Sequence, residues 1–124
     1  MPDNPLPPPI EQAALANLRT IGGGDESFVA EIVQMFREDT PPHFAELDAS
    51  AASGDAVRLA KIAHGLKGSA GNFGAKHFRA LTERIETLAK AKDLAPIPAA
   101  IADLRAEYAR VIAALEAALA APPQ

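Results

Sequence analysis

The chain lacks cysteine and tryptophan altogether, and its 124 residues include only five phenylalanines and one tyrosine. Without cysteine, disulfides, thiolate metal sites and cysteine nucleophiles are excluded together. The shortage of aromatic side chains leaves Leu, Ile, Val and Ala to fill a core. A chain of this length is sufficient for one domain with one core.

A strong net charge and a long apolar run are also missing. The formal net charge is -4 and the basic residues are not clustered, which makes nucleic acid and anionic membranes poor partners. No apolar run approaches the roughly 18 residues that span a bilayer, and the first residues have neither the basic nor the apolar segment of a signal peptide. We therefore expect a cytoplasmic protein that binds neither nucleic acid nor membrane.

Helical periodicity dominates what is present, and no segment alternates like a strand. The apolar spacing predicts a short helix over residues 10–19 and longer helices over residues 25–53, 55–70, 75–92 and 99–120. Because the connectors are short, neighbouring helices should be antiparallel. The predicted fold is all-α, an antiparallel up-down four-helix bundle with a short extra N-terminal helix. It occupies residues 10–120, after a proline-rich, disordered tail or linker over residues 1–9.

The second helix contains a proline pair, Pro41 and Pro42. Since proline lacks the backbone donor, the helix either kinks here or restarts with Thr40 as its N-cap. Its predicted core-facing residues are Phe28, Ile32, Met35 and Phe36.

The stretch AHGLKGSAGNFGA, residues 63–75, places His64 and two glycines inside the third helix. On a helical wheel His64 lies about 140° from the apolar direction, and therefore faces solvent. Gly65 and Gly68 lie within one turn of it, and each weakens a helix by roughly 1 kcal/mol relative to alanine. A surface histidine without a role is the competing interpretation. The glycines favour a site cleared for the approach of another macromolecule.

An exposed neutral imidazole offers a nucleophilic nitrogen near physiological pH. A carboxylate from the antiparallel fourth helix would fix its tautomer, and Glu83 and Glu86 are the acidic candidates. The ammonium groups of Lys61 and Lys67 lie close enough along the helix to offset the charge of an incoming phosphoryl group.

The same stretch resembles the signature of histidine phosphotransfer (HPt) domains, A-H-x-L-K-G-[SA]-[SA]-x-x-hydrophobic-G-[AL], with every defined position filled. The similarity extends over about residues 20–90. It implies a four-helix bundle that relays a phosphoryl group between receiver-domain aspartates, or from a histidine kinase. By this resemblance His64 is the phosphoacceptor, Lys67 lies near the phosphoryl group, Gly68 lets the receiver dock, and Glu86 rather than Glu83 binds the imidazole.

The resemblance further implies response-regulator receiver domains and a hybrid histidine kinase as partners, with Lys61, Gly65 and Gly68 at the docking surface. We expect a monomeric phosphoryl carrier, without an ATP site, in a two-component phosphorelay. It needs no cofactor, because Mg²⁺ is expected only in the partner receiver. Two alternatives remain: the histidine-bearing module of a larger hybrid sensor or chemotaxis kinase, and an interaction bundle that has lost transfer.

The other two histidines, His43 and His77, have no comparable setting in the sequence. We interpret both as surface or helix-boundary residues. No histidine pair has the spacing of a metal site, so none is predicted.

Overall fold

The structure, a computed structural model, describes residues 6–120. Within that range it is all-helical and contains no strand. Its elements in chain order are α1 (Gln12–Ile21), α2 (Glu26–Ser53), α3 (Ala56–Ala70), a 3₁₀ turn (Gly71–Phe73), α4 (Lys76–Lys90) and α5 (Ile97–Ala120).

Two aspartates cap the N-termini of α2 and α3. The Asp25 side chain accepts a hydrogen bond from the backbone N–H of Ser27 at the start of α2, and Asp55 accepts one from the N–H of Arg58 at the start of α3. Between them, Gly54 ends α2 with a φ of 72°, a left-handed conformation that glycine adopts without strain. The chain therefore reverses within two residues, so α2 and α3 become neighbours.

Helices α2 to α5 form a closed four-helix bundle. Each of the pairs α2–α3, α3–α4, α4–α5 and α2–α5 packs together, while α1 packs on α2 and on the 3₁₀ turn. The core contains mainly aliphatic side chains and alanines, together with Phe36, Phe44, Phe73 and Phe78. The predicted all-α bundle with a short extra N-terminal helix is confirmed.

Helix α2 continues through the proline pair without a break, so the predicted restart at Thr40 is wrong. Pro41 has no N–H to donate to the carbonyl of Arg37, one turn earlier. The hydroxyl of Tyr108 on α5 donates to that carbonyl instead, over 3.2 Å. Burial raises the pKa of Tyr108, which keeps this hydroxyl protonated. Packing against α5 thus supplies the donor that the local sequence lacks.

The predicted apolar face of α2 also needs one correction. Phe36 is buried and Phe28 and Ile32 are partly buried, but the side chain of Met35 is 56% exposed. Met35 lies at the edge of the apolar stripe, where it borders a cavity between α2 and the end of α3. Helix ends differ from the predicted ones by about two residues, as is usual where caps decide them.

The segment before α1 is partly described. Leu6 to Pro9 lie outside any helix, and the Pro7 carbonyl accepts a hydrogen bond of 2.9 Å from Arg110. The predicted tail over residues 1–9 includes residues 1–5, which lie outside the described residues, and it stays a prediction. None of the helices in residues 6–120 is long and apolar enough to cross a membrane.

Candidate functional site

The connector between α3 and α4 fixes how the two helices face each other. Phe73 is fully buried in the core, and its carbonyl accepts a hydrogen bond from the backbone N–H of Glu11 over 3.0 Å. Gly74 follows with a φ of 62°, and a Cβ there would lie 2.8 Å from the Glu11 side chain. A residue without a side chain is therefore needed at this position. The turn is fixed by the buried Phe73 ring on its inner side and by Glu11 on its outer side.

Across this turn, His64 on α3 meets Glu86 on α4. The distance from His64 Nδ1 to Glu86 Oε2 is 3.2 Å. The imidazole is 67% exposed, whereas the carboxylate is only 12% exposed. An ionised carboxylate can only accept, so Nδ1 carries the proton and donates it to Glu86. The other ring nitrogen, Nε2, then keeps its lone pair and lies on the outer side of the ring.

Two ammonium groups lie against the same carboxylate. Lys67 Nζ is 3.5 Å from Glu86 Oε1, and Lys90 Nζ is 3.0 Å from Oε2. The hydrogen bond from Lys90, with the charges of Lys90, Lys67 and His64, lowers the pKa of Glu86 against the opposing effect of burial. Glu86 is therefore ionised at neutral pH, and two cations surround one anion beside the imidazole.

Lys90 is the residue that sequence reasoning missed. It stands four residues after Glu86 on α4, a spacing at which opposite charges pair on a helix surface. That spacing could have indicated it once Glu86 was singled out. The other candidate, Glu83, pairs with Arg79 instead, with its Oε1 3.5 Å from Nε of Arg79. It does not contact His64, whose Nδ1 is held by Glu86.

The predicted docking residues lie on the outer surface of α3. Lys61, Gly65 and Gly68 are all exposed, and no ion pair to Lys61 is found among residues 6–120. A Cβ added to Gly65 or Gly68 would meet nothing within 4 Å. The two glycines are thus not required by packing inside this chain.

The remaining histidines differ from each other. His77 on α4 is partly buried. His43 on α2 is held by Glu46, with Nδ1 3.1 Å from Oε1, and Glu46 also accepts a bond of 2.7 Å from Arg58. Sequence reasoning missed this pair, although the spacing of three residues between His43 and Glu46 is one at which helix side chains meet. In residues 6–120 no cluster of three or more His, Asp and Glu side chains is placed to hold a metal ion.

The arrangement around His64 suits attack on phosphorus. The outward lone pair of Nε2 is free to form a bond, and no base is required because that nitrogen carries no proton. The ring becomes cationic when the bond forms, and the Glu86 carboxylate offsets that charge through Nδ1–H. Lys67 and Lys90, both held at Glu86 beside the ring, add positive charge to the surroundings of the imidazole.

Comparison with known proteins agrees with this chemistry. A family model described as the Hpt domain matches residues 31–118, more than half of the chain. The fold is similar to the crystal structure of histidine-containing phosphotransfer protein B (HptB) from Pseudomonas aeruginosa PAO1, with a TM-score of 0.83 and 26% identity over 90% of this chain and 95% of that one. No curated protein sequence matched the chain. The chain therefore belongs to the Hpt domain family, whose members carry phosphoryl groups on histidine in phosphorelays.

Proposed function

We propose that this chain accepts a phosphoryl group on Nε2 of His64 from the phospho-aspartate of a response-regulator receiver domain, and passes it to the aspartate of another. The observation that carries the proposal is the exposed imidazole whose Nδ1 is held 3.2 Å from the shielded carboxylate of Glu86. This contact fixes the tautomer in which Nε2 is the nucleophile.

The transfer step balances without a cofactor in this chain. The Nε2 lone pair forms the N–P bond while the O–P bond to the receiver aspartate breaks, and the electron pair of that bond leaves with the aspartate carboxylate. The proton on Nδ1 stays between the imidazole and Glu86 throughout. The receiver's own acidic pocket supplies Mg²⁺, and the reverse step regenerates neutral His64.

Each remaining residue has a part in this proposal. Lys67 and Lys90 balance the charge of the phosphoryl oxygens, while Lys61, Gly65 and Gly68 lie under the docked receiver. The carrier is a cytoplasmic monomer without an ATP site of its own. A hybrid histidine kinase is the proposed source of the phosphoryl groups.

The test is to mix the chain with a receiver domain that carries radiolabelled phosphate and to measure acid-labile, alkali-stable label on the chain. We expect wild type to be labelled, and His64→Gln to lose labelling by at least about 100-fold because no nucleophile remains. His77→Gln is the matched control and should be labelled like wild type.

An unlabelled wild type with a panel of receivers would contradict the proposal, as would labelling of His64→Gln. Labelling only by the ATP-binding domain of a kinase would favour the alternative of a kinase module. Equal binding of a partner by wild type and His64→Gln, without any labelling, would favour the interaction bundle.

A further inference from the structure

A cavity lies between α2 and the C-terminal end of α3. The cavity has a volume of ≈ 200 Å³. Ile32, Met35 and Phe36 of α2 form its apolar wall. Small-molecule sites occupy roughly 300–1,000 Å³, so this cavity suits one extended side chain better than a cofactor.

The polar groups that line the cavity can accept hydrogen bonds. The Asp39 carboxylate only accepts. The Ser69 hydroxyl donates back to its own helix, to the carbonyls of Gly65 at 3.3 Å and Leu66 at 3.2 Å, and so offers its lone pairs outward. His43 Nδ1 donates to Glu46, so Nε2 is the ring nitrogen left for another partner.

The charge at this cavity is uncompensated. Asp39 has no ion-pair partner among residues 6–120. The hydrogen bonds from Arg58 and then His43 lower the pKa of Glu46, so its carboxylate stays ionised and accepts from Nδ1 of His43. An apolar wall that ends in a carboxylate and further acceptors is complementary to a long side chain that ends in a cation.

The cavity and the proposed phosphoacceptor share one open surface. Ser69 follows His64 by five residues on α3, which is about 7.5 Å along the helix axis and about 140° around it, so the two residues lie on opposite flanks of the exposed face of α3. Gly65 and Gly68 lie between them, and the space beyond both glycines is empty of this chain. A segment of a second protein can therefore cover the glycines and reach both His64 and the cavity.

We propose that this cavity receives a lysine or arginine side chain of the receiver domain while the receiver's aspartate meets His64. The inference rests on the proposed function. It assigns the receiver a cationic anchor residue on one side of its phosphorylated aspartate, and it gives Asp39, His43 and Ser69 the role of partner recognition. None of the three touches the reacting atoms.

The first experiment measures the dissociation constant for a panel of receiver domains from the same organism. Asp39→Asn keeps the size of the side chain and removes its charge, and we expect binding to weaken about three- to tenfold. Glu38→Gln is the matched control, because Glu38 is exposed on the same helix but does not line the cavity. Equal affinity of Asp39→Asn and wild type would overturn the inference.

The second experiment needs no receiver. n-Butylguanidinium is titrated into the chain while the backbone amide signals of Ser69 and Asn72 are followed by NMR, with the neutral isostere n-butylurea as the control ligand. We expect only the cation to shift these signals, and Asp39→Asn to abolish the shift. Equal responses to the cation and the urea would overturn the inference.

The two proposals fail in different ways. If the chain binds a receiver but His64 takes no phosphate, the proposed function fails while the dissociation constants still test the cavity. If His64 is labelled normally but Asp39→Asn binds and titrates like wild type, only the cavity assignment fails. If no receiver binds, the n-butylguanidinium titration decides the assignment by itself.

Discussion

At the scale of single residues, Glu86 connects the parts of the candidate site. Its carboxylate is shielded by the α3–α4 interface and lies within 3.5 Å of groups on His64, Lys67 and Lys90. The imidazole, by contrast, is largely exposed. A fixed acceptor under a free nucleophile orients the ring without blocking it.

We predict that Glu86→Gln slows phosphoryl transfer by about tenfold. The amide oxygen can still accept from Nδ1, but the charge that offsets the cationic ring is gone, which is worth roughly 1.5 kcal/mol. The measurement is the single-turnover rate from a phosphorylated receiver. Glu83→Gln, one turn earlier on α4, serves as the control and should transfer at the wild-type rate.

Glu86→Gln should also change how the free energy of unfolding depends on pH. Because the pKa of Glu86 is lowered from its ordinary value of 4.5 in the folded chain, the unfolded chain takes up a proton at this group first as the pH falls. The stabilisation by Glu86 is present above that ordinary value and is lost as the pH falls through the lowered value. The free energy of unfolding of Glu86→Gln should therefore fall less between pH 5 and pH 3. An equal transfer rate together with an equal acid response would contradict both roles of Glu86.

Gly68 is a residue whose cost in helix stability is not explained by packing within this chain. We predict that Gly68→Gln raises the free energy of unfolding by up to about 1 kcal/mol, because the added side chain meets open space and helix propensity improves. It should nevertheless slow transfer from a receiver, since the side chain occupies the docking surface. Thermal denaturation and transfer rates are the two measurements. Ala113→Gln, at an exposed position on α5, is the control for added bulk alone. Transfer as fast as wild type would remove this explanation of the glycine.

At the scale of elements, α2 depends on a neighbouring helix for its continuity. Pro41 leaves the Arg37 carbonyl without its usual partner, and the Tyr108 hydroxyl of α5 donates to it. The predicted interruption of α2 considered only the local chain. The tertiary contact satisfies the carbonyl and makes one helix over 28 residues possible.

We predict that Tyr108→Phe lowers the free energy of unfolding by about 1 kcal/mol, the usual net value of one hydrogen bond. A double-mutant cycle with Pro41→Ala isolates the contact. Alanine restores an N–H for the Arg37 carbonyl, so the tyrosine hydroxyl should matter less in that background. Chemical denaturation of the four proteins measures the coupling. Additive losses would show that the hydroxyl does not compensate for the proline.

At the scale of the whole molecule, one aromatic cluster joins most of the elements. The Phe36 ring of α2 contacts Phe73 of the 3₁₀ turn, Phe78 of α4 and Tyr108 of α5, with centroid distances of 5.2, 5.8 and 5.5 Å. Edge-to-face and tilted contacts of this kind add to the hydrophobic gain of burial. The few aromatic residues of the sequence are thus concentrated where α2 meets the 3₁₀ turn, α4 and α5.

Burial in α5 also differs from the sequence pattern. Glu107 is only 2% exposed, and its carboxylate accepts a hydrogen bond of 2.6 Å from Arg110, which in turn donates to the Pro7 carbonyl. Helical periodicity predicts apolar side chains on the buried side of a helix, not a glutamate. Oε1 of Glu107 pairs with Arg110 one turn away, whereas Oε2 is buried without a hydrogen-bond partner among residues 6–120.

Features that depend on spacing within one helix could be predicted from the amino-acid sequence alone. The 3.6-residue period predicted the five helices, the buried side of α3 and the exposure of His64, because side-chain direction along a helix is a local property. Two other features could not be predicted in this way. One is the hydrogen bond from the Tyr108 hydroxyl to the Arg37 carbonyl, which replaces the bond that Pro41 cannot donate, and the other is the cavity beside Asp39. Each requires residues that are tens of positions apart.

The carboxylate beside His64 shows the division most clearly. Helical spacing left Glu83 and Glu86 both open, and the resemblance to a known family favoured Glu86. The contact of Glu86 with Nδ1, and the place of Lys90 beside it, follow from the register of α4 on α3. That register is set by the buried Phe73, the left-handed Gly74 and the packing of the core. Only the tertiary structure brings these interactions together, since no periodicity within a single helix specifies how far it slides along its neighbour.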